Sequence, residues 1–206
     1  MAGFIVLSVF CAYVIGSVPT AYIMGRLRKG VDVRLVGSRN MGAMNVFYKV
    51  GFWEGVLVLA VDIGKGVGAV ALAHALGVAE IYQLLAGLVV VLGHAFPIFL
   101  KFRGGKGGAT SIGVLIYLMP WAALWYLGFF GIMLLVTRFP TLSYSAAFIC
   151  FPFVAWLVYD NYSLVAFPFV LLLVPTIKYI PRLQEMRAKS GDWRHVFLRR
   201  GLKDRL

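Results

Sequence analysis

Residues 101–110 have the sequence KFRGGKGGAT, which places three basic side chains and four glycines between long apolar runs. Glycine allows backbone N–H groups to converge on one point, and Lys106 adds a mobile positive charge there. The stretch therefore predicts a site for a phosphate group. A nucleotide P-loop is excluded, because its Gly and its Ser or Thr are replaced here by Leu100 and Gly107. Taken alone, the stretch also fits a flexible basic turn at a membrane surface.

The composition of the whole chain determines the solvent in which it folds. Its 206 residues are 61% hydrophobic, with a mean hydropathy of +0.87. A soluble domain does not carry this composition, and the apolar runs are long enough to cross a bilayer. We therefore predict an all-α integral membrane protein.

Seven apolar runs predict seven transmembrane helices. They are residues 3–24, 53–79, 81–100, 110–119, 121–136, 142–158 and 162–180. Of the 20 Lys and Arg residues, 18 lie in four segments that seven spans place on one membrane face. Six spans, without the division at Pro120, would put Arg138 and the basic tail outside. By the positive-inside rule, the N-terminus is then outside and the C-terminus is in the cytoplasm.

The end of the last predicted span divides the chain into two regions. Residues 1–180 form the predicted seven-helix membrane domain, and residues 181–206 form a basic cytoplasmic tail that should lie on the membrane surface. The fourth span is about 16 Å long, roughly half of a hydrocarbon core of about 30 Å. Its amino end, with the glycine stretch, should therefore lie in a cavity, where the positive end of the helix favours an anion.

Polar residues elsewhere in the chain are further candidates for the phosphate site. The sequence leaves two interpretations open for each of them. Residues 37–45, GSRNMGAMN, offer donors to a phosphate or a glycerol hydroxyl, but an ordinary loop explains them equally well. Asp62 and Lys65 are spaced i,i+3 near mid-membrane, which predicts an ion pair below the site, although Lys65 could instead reach a substrate. His94 is either a helix-packing hydrogen bonder or an acid or base.

Two common routes to acyl transfer are absent from the sequence. Neither His74 nor His94 is followed five residues later by Asp, since Ala79 and Phe99 stand there, and no G-x-S-x-G elbow is present. What remains is a set of groups suited to positioning phosphates and stabilising charge.

Six sets of motifs follow one another along nearly the whole chain. They are GSVP at 16–19 with VDVR at 31–34, GSRNMGAMN at 37–45, DIGKG at 62–66, GHAFP at 93–97, FRGGKG at 102–107 and TRF at 137–139. Together they resemble the motifs of the bacterial acyl-phosphate:glycerol-3-phosphate acyltransferases. The glycine-lysine motif with the preceding Gly-His is the most specific part.

The resemblance implies a seven-helix enzyme of the bacterial inner membrane with its active site facing the cytoplasm. It would move a fatty acyl group from acyl-phosphate to the 1-hydroxyl of glycerol 3-phosphate, giving lysophosphatidic acid for phospholipid synthesis. A substrate phosphate would accept the hydroxyl proton. The expected partners are the two substrates and membrane lipids. No metal, cofactor or nucleic acid is implied.

The resemblance also assigns site residues by position. Lys106, Ser38 and Asn45 would be catalytic, by holding phosphate and polarising the acyl carbonyl. The substrate-binding residues would be Asn40, Gly42, His94, Gly104, Gly105, Gly107, Arg138 and Thr141, the last of which stands where the family usually has Ser.

Four positions depart from the family pattern. Met44 replaces a Thr, Tyr48 replaces an Arg, and Thr176 and Tyr179 replace a His and an Asn. These changes leave two alternatives beside the acyltransferase: the same fold acting on another phosphorylated acceptor, or a non-enzymatic lipid-handling protein. A transporter would be expected to show inverted repeats, and none is visible.

Overall fold

The computed structural model describes residues 1–197, except the side chain of His195. This part of the chain is helical and contains no strand. Its α-helices are α1 (Ala2–Ser17), α2 (Thr20–Lys29), α3 (Ala43–Lys49), α4 (Phe52–Ala75), α5 (Glu80–Ala95), α6 (Gly108–Leu118), α7 (Ala122–Thr137), α8 (Pro140–Ala147), α9 (Cys150–Val154), α10 (Tyr162–Ser190) and α11 (Trp193–Phe197). A 3₁₀ turn covers Ile98–Leu100, and a π-helical turn covers Ala155–Tyr159. The end of the predicted tail, residues 198–206, lies outside the described residues.

Each predicted apolar run is helical over most of its length. Five segments in the described part of the chain are long and apolar enough to cross a membrane: Ala2–Lys29, Phe52–Ala75, Glu80–Leu100, Pro140–Tyr159 and Tyr162–Ser190. The predicted fourth and fifth spans are the shorter apolar helices α6 and α7. The short fourth helix agrees with the length expected from the sequence.

Prolines set two of the helix boundaries. α1 ends at Ser17 and α2 begins at Thr20, because Pro19 has no N–H group and disfavours helical backbone at Val18. Similarly, α6 and α7 are separate helices on either side of Pro120, as predicted.

The last long helix is not interrupted by its prolines. α10 contains Pro168, Pro175 and Pro181 and continues to Ser190. Residue 180, the predicted boundary between membrane domain and tail, therefore lies inside a continuous helix.

The chain forms two compact units, Met1–Leu118 and Met119–Leu206. In the first unit, α1 and α5 approach closely through glycines. A Cβ at Gly16 would collide with the carbonyl oxygen of Val90, and one at Gly93 would collide with that of Tyr13. Small residues allow this approach between membrane helices. The contact brings the break between α1 and α2 next to the end of α5.

The pair α4 and α6 repeats the same arrangement. A Cβ at Gly66 would collide with the carbonyl oxygen of Thr110, and one at Gly113 would collide with that of Ile63. The amino end of α6 is therefore held against the turn of α4 that carries Lys65.

The second unit packs around aromatic side chains. The ring of Tyr126 lies 5.3 Å from Phe151 and 6.2 Å from Phe148, centroid to centroid. Near its carboxyl end, Val196 of α11 is fully buried against Phe139 and Met186. The described part of the predicted tail is thus packed on protein at this position.

Candidate active site

The glycine stretch begins with a reversal of the chain after α5. Pro97 follows the helix, the 3₁₀ turn comes next, and Lys101 and Phe102 then adopt left-handed backbone with φ of 52° and 61°. The Phe102 N–H donates to the carbonyl of Pro97 over 3.0 Å, which closes the turn. The chain after it therefore runs back along the end of α5.

Two backbone N–H groups assigned to phosphate by their position are used by α5 instead. The Gly104 N–H donates to the Ala95 carbonyl over 3.2 Å, and the Gly105 N–H donates to the His94 carbonyl over 3.1 Å. These bonds satisfy carbonyls that the helix end leaves without partners. The expected convergence of glycine N–H groups on an anion is therefore wrong for this pair, whose bonds hold the loop in place.

Gly105 is the point where three segments meet. A Cβ there would overlap the Nε2 atom of His94 and would lie 2.6 Å from the carbonyl oxygen of Met41. A Cβ at Gly104 would collide with the His94 carbonyl and the Pro97 ring. Both glycines are therefore required for close approach. The loop 37–45 and the imidazole of His94 converge on the glycine stretch, as a shared site requires.

Gly107 turns the chain into α6. Its φ of +89° favours glycine, and its carbonyl accepts the first helical hydrogen bond, from the Ser111 N–H over 2.8 Å. Lys106, between the two glycines, is partly buried. The first-turn N–H groups that begin at Gly108 have no acceptor within their own helix, so this end suits an anion.

Asn45 fixes the shape of the loop that contacts Gly105. Its Oδ1 accepts from the Ser38 N–H over 3.1 Å, and its Nδ2 donates to the carbonyls of Val33 and Val36 over 2.7 and 3.1 Å. Both amide hydrogens are occupied, and the side chain is buried. Its geometry is that of a group that positions the loop.

The other predicted residues of this loop lie around Met41. Asn40 is partly buried, and its Nδ2 lies 2.9 Å from the position of a Cβ on Gly42, so glycine leaves room for that amide. Ser38 is exposed. Arg39 is also exposed and adopts left-handed backbone with a φ of 56°.

The chain entering this loop is held by an ion pair. Asp32 accepts from the backbone N–H and the Nε of Arg34 over 3.0 Å each, and from its Nη2 over 2.7 Å. Hydrogen bonding from the Arg34 side chain holds the pKa of the Asp32 carboxyl below its usual value. The guanidinium also lies over the ring of Tyr22, 5.1 Å from its centroid.

The predicted ion pair of α4 is present and buried. The Nζ of Lys65 lies 2.7 Å from Oδ1 of Asp62, and the two side chains are 5% and 2% exposed. Lys65 also donates to the carbonyl of Val18, at the break between α1 and α2, over 2.7 Å. The Nδ1 of His94 lies 3.7 Å from the same Asp62 oxygen.

Sequence analysis missed two hydroxyl groups in the first turn of α6. Thr110 and Ser111 are fully buried, and neither hydroxyl has a hydrogen-bond partner among the described residues. They were treated as part of an apolar span. Their position directly after the glycine stretch was the available signal, because a buried hydroxyl without a partner is unfavourable by about 1–3 kcal/mol.

The remaining predicted residues lie in the second unit. Thr141 lines a cavity of about 200 Å³ together with Thr176 and Tyr179, two of the positions that depart from the family pattern. The other lining side chains are apolar or aromatic apart from Ser145, and none is charged within the described residues. Arg138 is exposed at the end of α7, with a φ of 52°.

A buried hydroxyl network shapes the turn that precedes Thr141. The Phe139 N–H donates to Oγ1 of Thr137 over 3.2 Å, and Oγ of Ser143 lies 3.0 Å from the same oxygen.

The described residues include no set of three His, Cys, Asp or Glu side chains that could hold a metal ion.

Comparisons with known proteins agree with these observations. A family model described as glycerol-3-phosphate acyltransferase matches residues 6–189. Glycerol-3-phosphate acyltransferase 2 of Dehalococcoides mccartyi is 49% identical, over 98% of this chain and 97% of that protein. Glycerol-3-phosphate acyltransferase of Bacillus subtilis is 42% identical, over 82% of this chain and 88% of that protein.

Two solved structures have a similar fold. A crystal structure of PlsY, an integral membrane glycerol 3-phosphate acyltransferase in its glycerol 3-phosphate form, is 29% identical with a TM-score of 0.81, covering 98% of this chain and 95% of that one. Its lysophosphatidic acid form is 31% identical with a TM-score of 0.78, covering 91% and 92%. With its apolar helices, this multi-pass membrane protein belongs to the glycerol-3-phosphate acyltransferase family.

Proposed function

We propose that this acyltransferase moves a fatty acyl group from acyl-phosphate to the 1-hydroxyl of glycerol 3-phosphate. The products are lysophosphatidic acid and inorganic phosphate. The observation that carries the proposal is the meeting of the Met41 carbonyl and the His94 imidazole at Gly105, beside the amino end of α6. It joins the two segments that the family motifs assign to substrate.

The reaction requires charge stabilisation more than a protein base. The acceptor oxygen attacks the acyl carbonyl carbon, an ester bond forms, and the bond from that carbon to the phosphate oxygen breaks. The hydroxyl proton passes to a phosphate oxygen of the substrate. The Lys106 ammonium and the first-turn N–H groups of α6 would stabilise the negative charge, together with the hydroxyls of Thr110 and Ser111, which have no hydrogen-bond partner among the described residues.

The predicted site residues of the glycine stretch and of the loop 37–45 have three roles under this proposal. The side chains of Lys106, Ser38 and Asn40 contact substrate. Asn45 acts by holding the loop 37–45, which carries Ser38 and Asn40. The glycines, Gly42, Gly104, Gly105 and Gly107, leave room for the groups around them. Arg138 and Thr141, in the second unit, remain predicted substrate-binding residues.

Donor choice tests the function directly. Purified protein should form lysophosphatidic acid from acyl-phosphate and glycerol 3-phosphate, and it should not use acyl-CoA, because a thioester carries no phosphate next to the reacting carbonyl. Product formation is measured with each donor at saturating acceptor. Turnover with acyl-CoA alone would contradict the proposal.

The orientation completes the proposal. Seven spans with the N-terminus outside place the glycine stretch, the loop 37–45 and the tail 181–206 on the cytoplasmic side of the inner membrane. Reporters fused after Leu206 and near Arg34 should be cytoplasmic, and one near Asp160 should be periplasmic. A periplasmic C-terminus would exclude this topology.

A second candidate is the same chemistry with another phosphorylated acceptor. Tyr48 stands where the family has Arg, and it lies one turn beyond Asn45 on the same side of α3. In the second unit, Thr176 and Tyr179 line a cavity without charged side chains among the described residues. Compared with the family pattern, the residues at these positions offer less positive charge and fewer hydrogen bonds to glycerol 3-phosphate.

Tyr48→Arg should therefore lower the KM for glycerol 3-phosphate. A hydrogen bond to a charged group is worth roughly 1.5–3 kcal/mol, which corresponds to about 10- to 150-fold in affinity. Acceptor saturation at fixed acyl-phosphate measures the change. A wild-type KM in the usual range that Tyr48→Arg leaves unchanged, but that Arg39→Gln or Lys49→Gln raises, would show that a neighbouring cation already compensates.

A further inference from the structure

Three buried side chains next to the glycine stretch, Asp62, Lys65 and His94, form a series of contacts between helices. Lys65 bonds both to Asp62 and to the Val18 carbonyl, 47 residues earlier in the sequence. The Asp62 oxygen that accepts from Lys65 also faces Nδ1 of His94 at 3.7 Å. On the other side of the imidazole, Nε2 lies against Gly105.

Simple helix packing does not explain this arrangement. A buried ion pair is weak evidence for stability, because apolar side chains of similar volume often replace it without loss. Helix α4, which carries the pair, already packs on α6 through Gly66 and Gly113, and this contact needs no charge. The pair does tie α4 to the break at Val18 and to His94, and it places a fixed negative charge beside the imidazole.

That charge fixes the orientation of the ring. A carboxylate facing Nδ1 favours a proton on that nitrogen, so the tautomer assigned from the geometry leaves Nε2, which faces Gly105, as the hydrogen-bond acceptor of the ring. His94 is also bonded to the same stretch through its backbone, because its carbonyl accepts from the Gly105 N–H. A change in the imidazole position would thus be felt directly by the segment that carries Lys106.

We propose that Asp62 and Lys65 are positioning residues that act through His94 on the Gly105–Lys106 segment. Lys65 anchors the carboxylate, the carboxylate orients the imidazole, and the imidazole sets the position of Gly105. The kinetic part of this inference rests on the proposed function. Its structural part does not, because the position of the glycine stretch can be measured without substrate.

The first test removes the pair without leaving a buried charge. Asp62→Asn combined with Lys65→Met keeps the size of both side chains and should remain folded. We expect kcat to fall by about 10- to 100-fold, since small displacements of positioning groups have effects of this size, with a smaller change in the acceptor KM. Asp62→Glu, which keeps the charge and moves the carboxylate, provides a second variant if the double variant does not fold.

A double-mutant cycle decides whether the pair acts through the imidazole. His94→Asn should lower kcat by a similar factor. If the contacts form one chain, adding His94→Asn to either Asp62 variant should produce little further loss. Losses that multiply would mean that the pair acts independently of His94, and they would overturn the proposal.

The matched control is an ion pair elsewhere in the first unit. Arg28 and Glu54 lie 2.8 Å apart and join α2 to α4. Arg28→Met combined with Glu54→Gln removes one pair of opposite charges, as in the test variant, and should leave kcat within about twofold because a surface pair is worth little. An equal loss in this control would make the effect at Asp62 nonspecific and would overturn the proposal.

Hydrogen exchange of the 101–110 segment is the readout that does not depend on activity. Exchange in this segment should accelerate in the Asp62–Lys65 and His94 variants and stay unchanged in the control pair. Unchanged exchange in all variants would overturn the positioning role. Accelerated exchange in these variants, together with a wild type that fails to use acyl-phosphate, would support the positioning role and contradict the proposed function.

Discussion

Replacing Lys106 with alanine should lower kcat by about 10²-fold or more, as expected for the loss of a charged group that stabilises developing negative charge. Lys106 lies between Gly105, where the loop 37–45 and His94 meet, and Gly107, which directly precedes the first residue of α6. Under the proposed function, its charge and the helix end would act on the same phosphate. If the contact strengthens in the transition state, the loss falls on kcat as well as on KM. Steady-state kinetics with acyl-phosphate and glycerol 3-phosphate measure both constants.

Lys101→Ala provides the matched control for that variant. Lys101 belongs to the same basic stretch, and its side chain is exposed. Its removal subtracts the same charge and should change kcat by less than about threefold, as expected for an exposed charge screened by water. Lys106→Arg should recover only part of the activity, because a guanidinium is larger and differently shaped. Near-normal turnover of Lys106→Ala would identify the stretch as a basic surface turn.

Gly105→Val should abolish turnover while the protein remains folded. Any Cβ at this position overlaps Nε2 of His94 and approaches the Met41 carbonyl, and the backbone carbonyl cannot move as easily as a flexible side chain. The glycine stretch must then separate from the loop 37–45. Because catalytic geometry tolerates little displacement, a shift of about 1 Å can lower the rate by about 10²-fold. Activity and thermal unfolding are measured on the same purified sample.

Gly64→Val separates this local effect from the general effect of a larger side chain. A Cβ at Gly64, on α4 in the same unit, would meet no atom within 4 Å. This variant should keep its turnover and its unfolding temperature. If Gly105→Val were as active as Gly64→Val, the close approach at Gly105 would have no part in catalysis.

The predictions that succeeded depend on neighbours along the chain. Hydropathy and the position of Pro120 predicted the apolar helices and the division between α6 and α7. The i,i+3 spacing predicted the contact of Asp62 with Lys65, because residues three apart on a helix share a face wherever that helix packs. Helix α10 was less predictable, since its three prolines did not end it.

The roles of the glycine-stretch residues depended on contacts between distant segments. Composition suggested that the N–H groups of Gly104 and Gly105 bind phosphate, but α5 ends beside them and its carbonyls accept both hydrogens. Asn45 was predicted to be catalytic, but its amide hydrogens are occupied by Val33 and Val36. The residue types suited an anion site in each case. Their partners were set by where the chain returns after a turn.

By itself, the sequence determined the membrane environment, the apolar helices and the charged pair of α4, because these depend on composition and on the fixed periodicity of a helix. Only the tertiary structure decided that Lys65 reaches Val18, that His94 faces Asp62, and that Met41 lies on Gly105. Those contacts join residues many turns apart. They follow from which glycines allow two helices to approach, and helical periodicity does not specify that pairing.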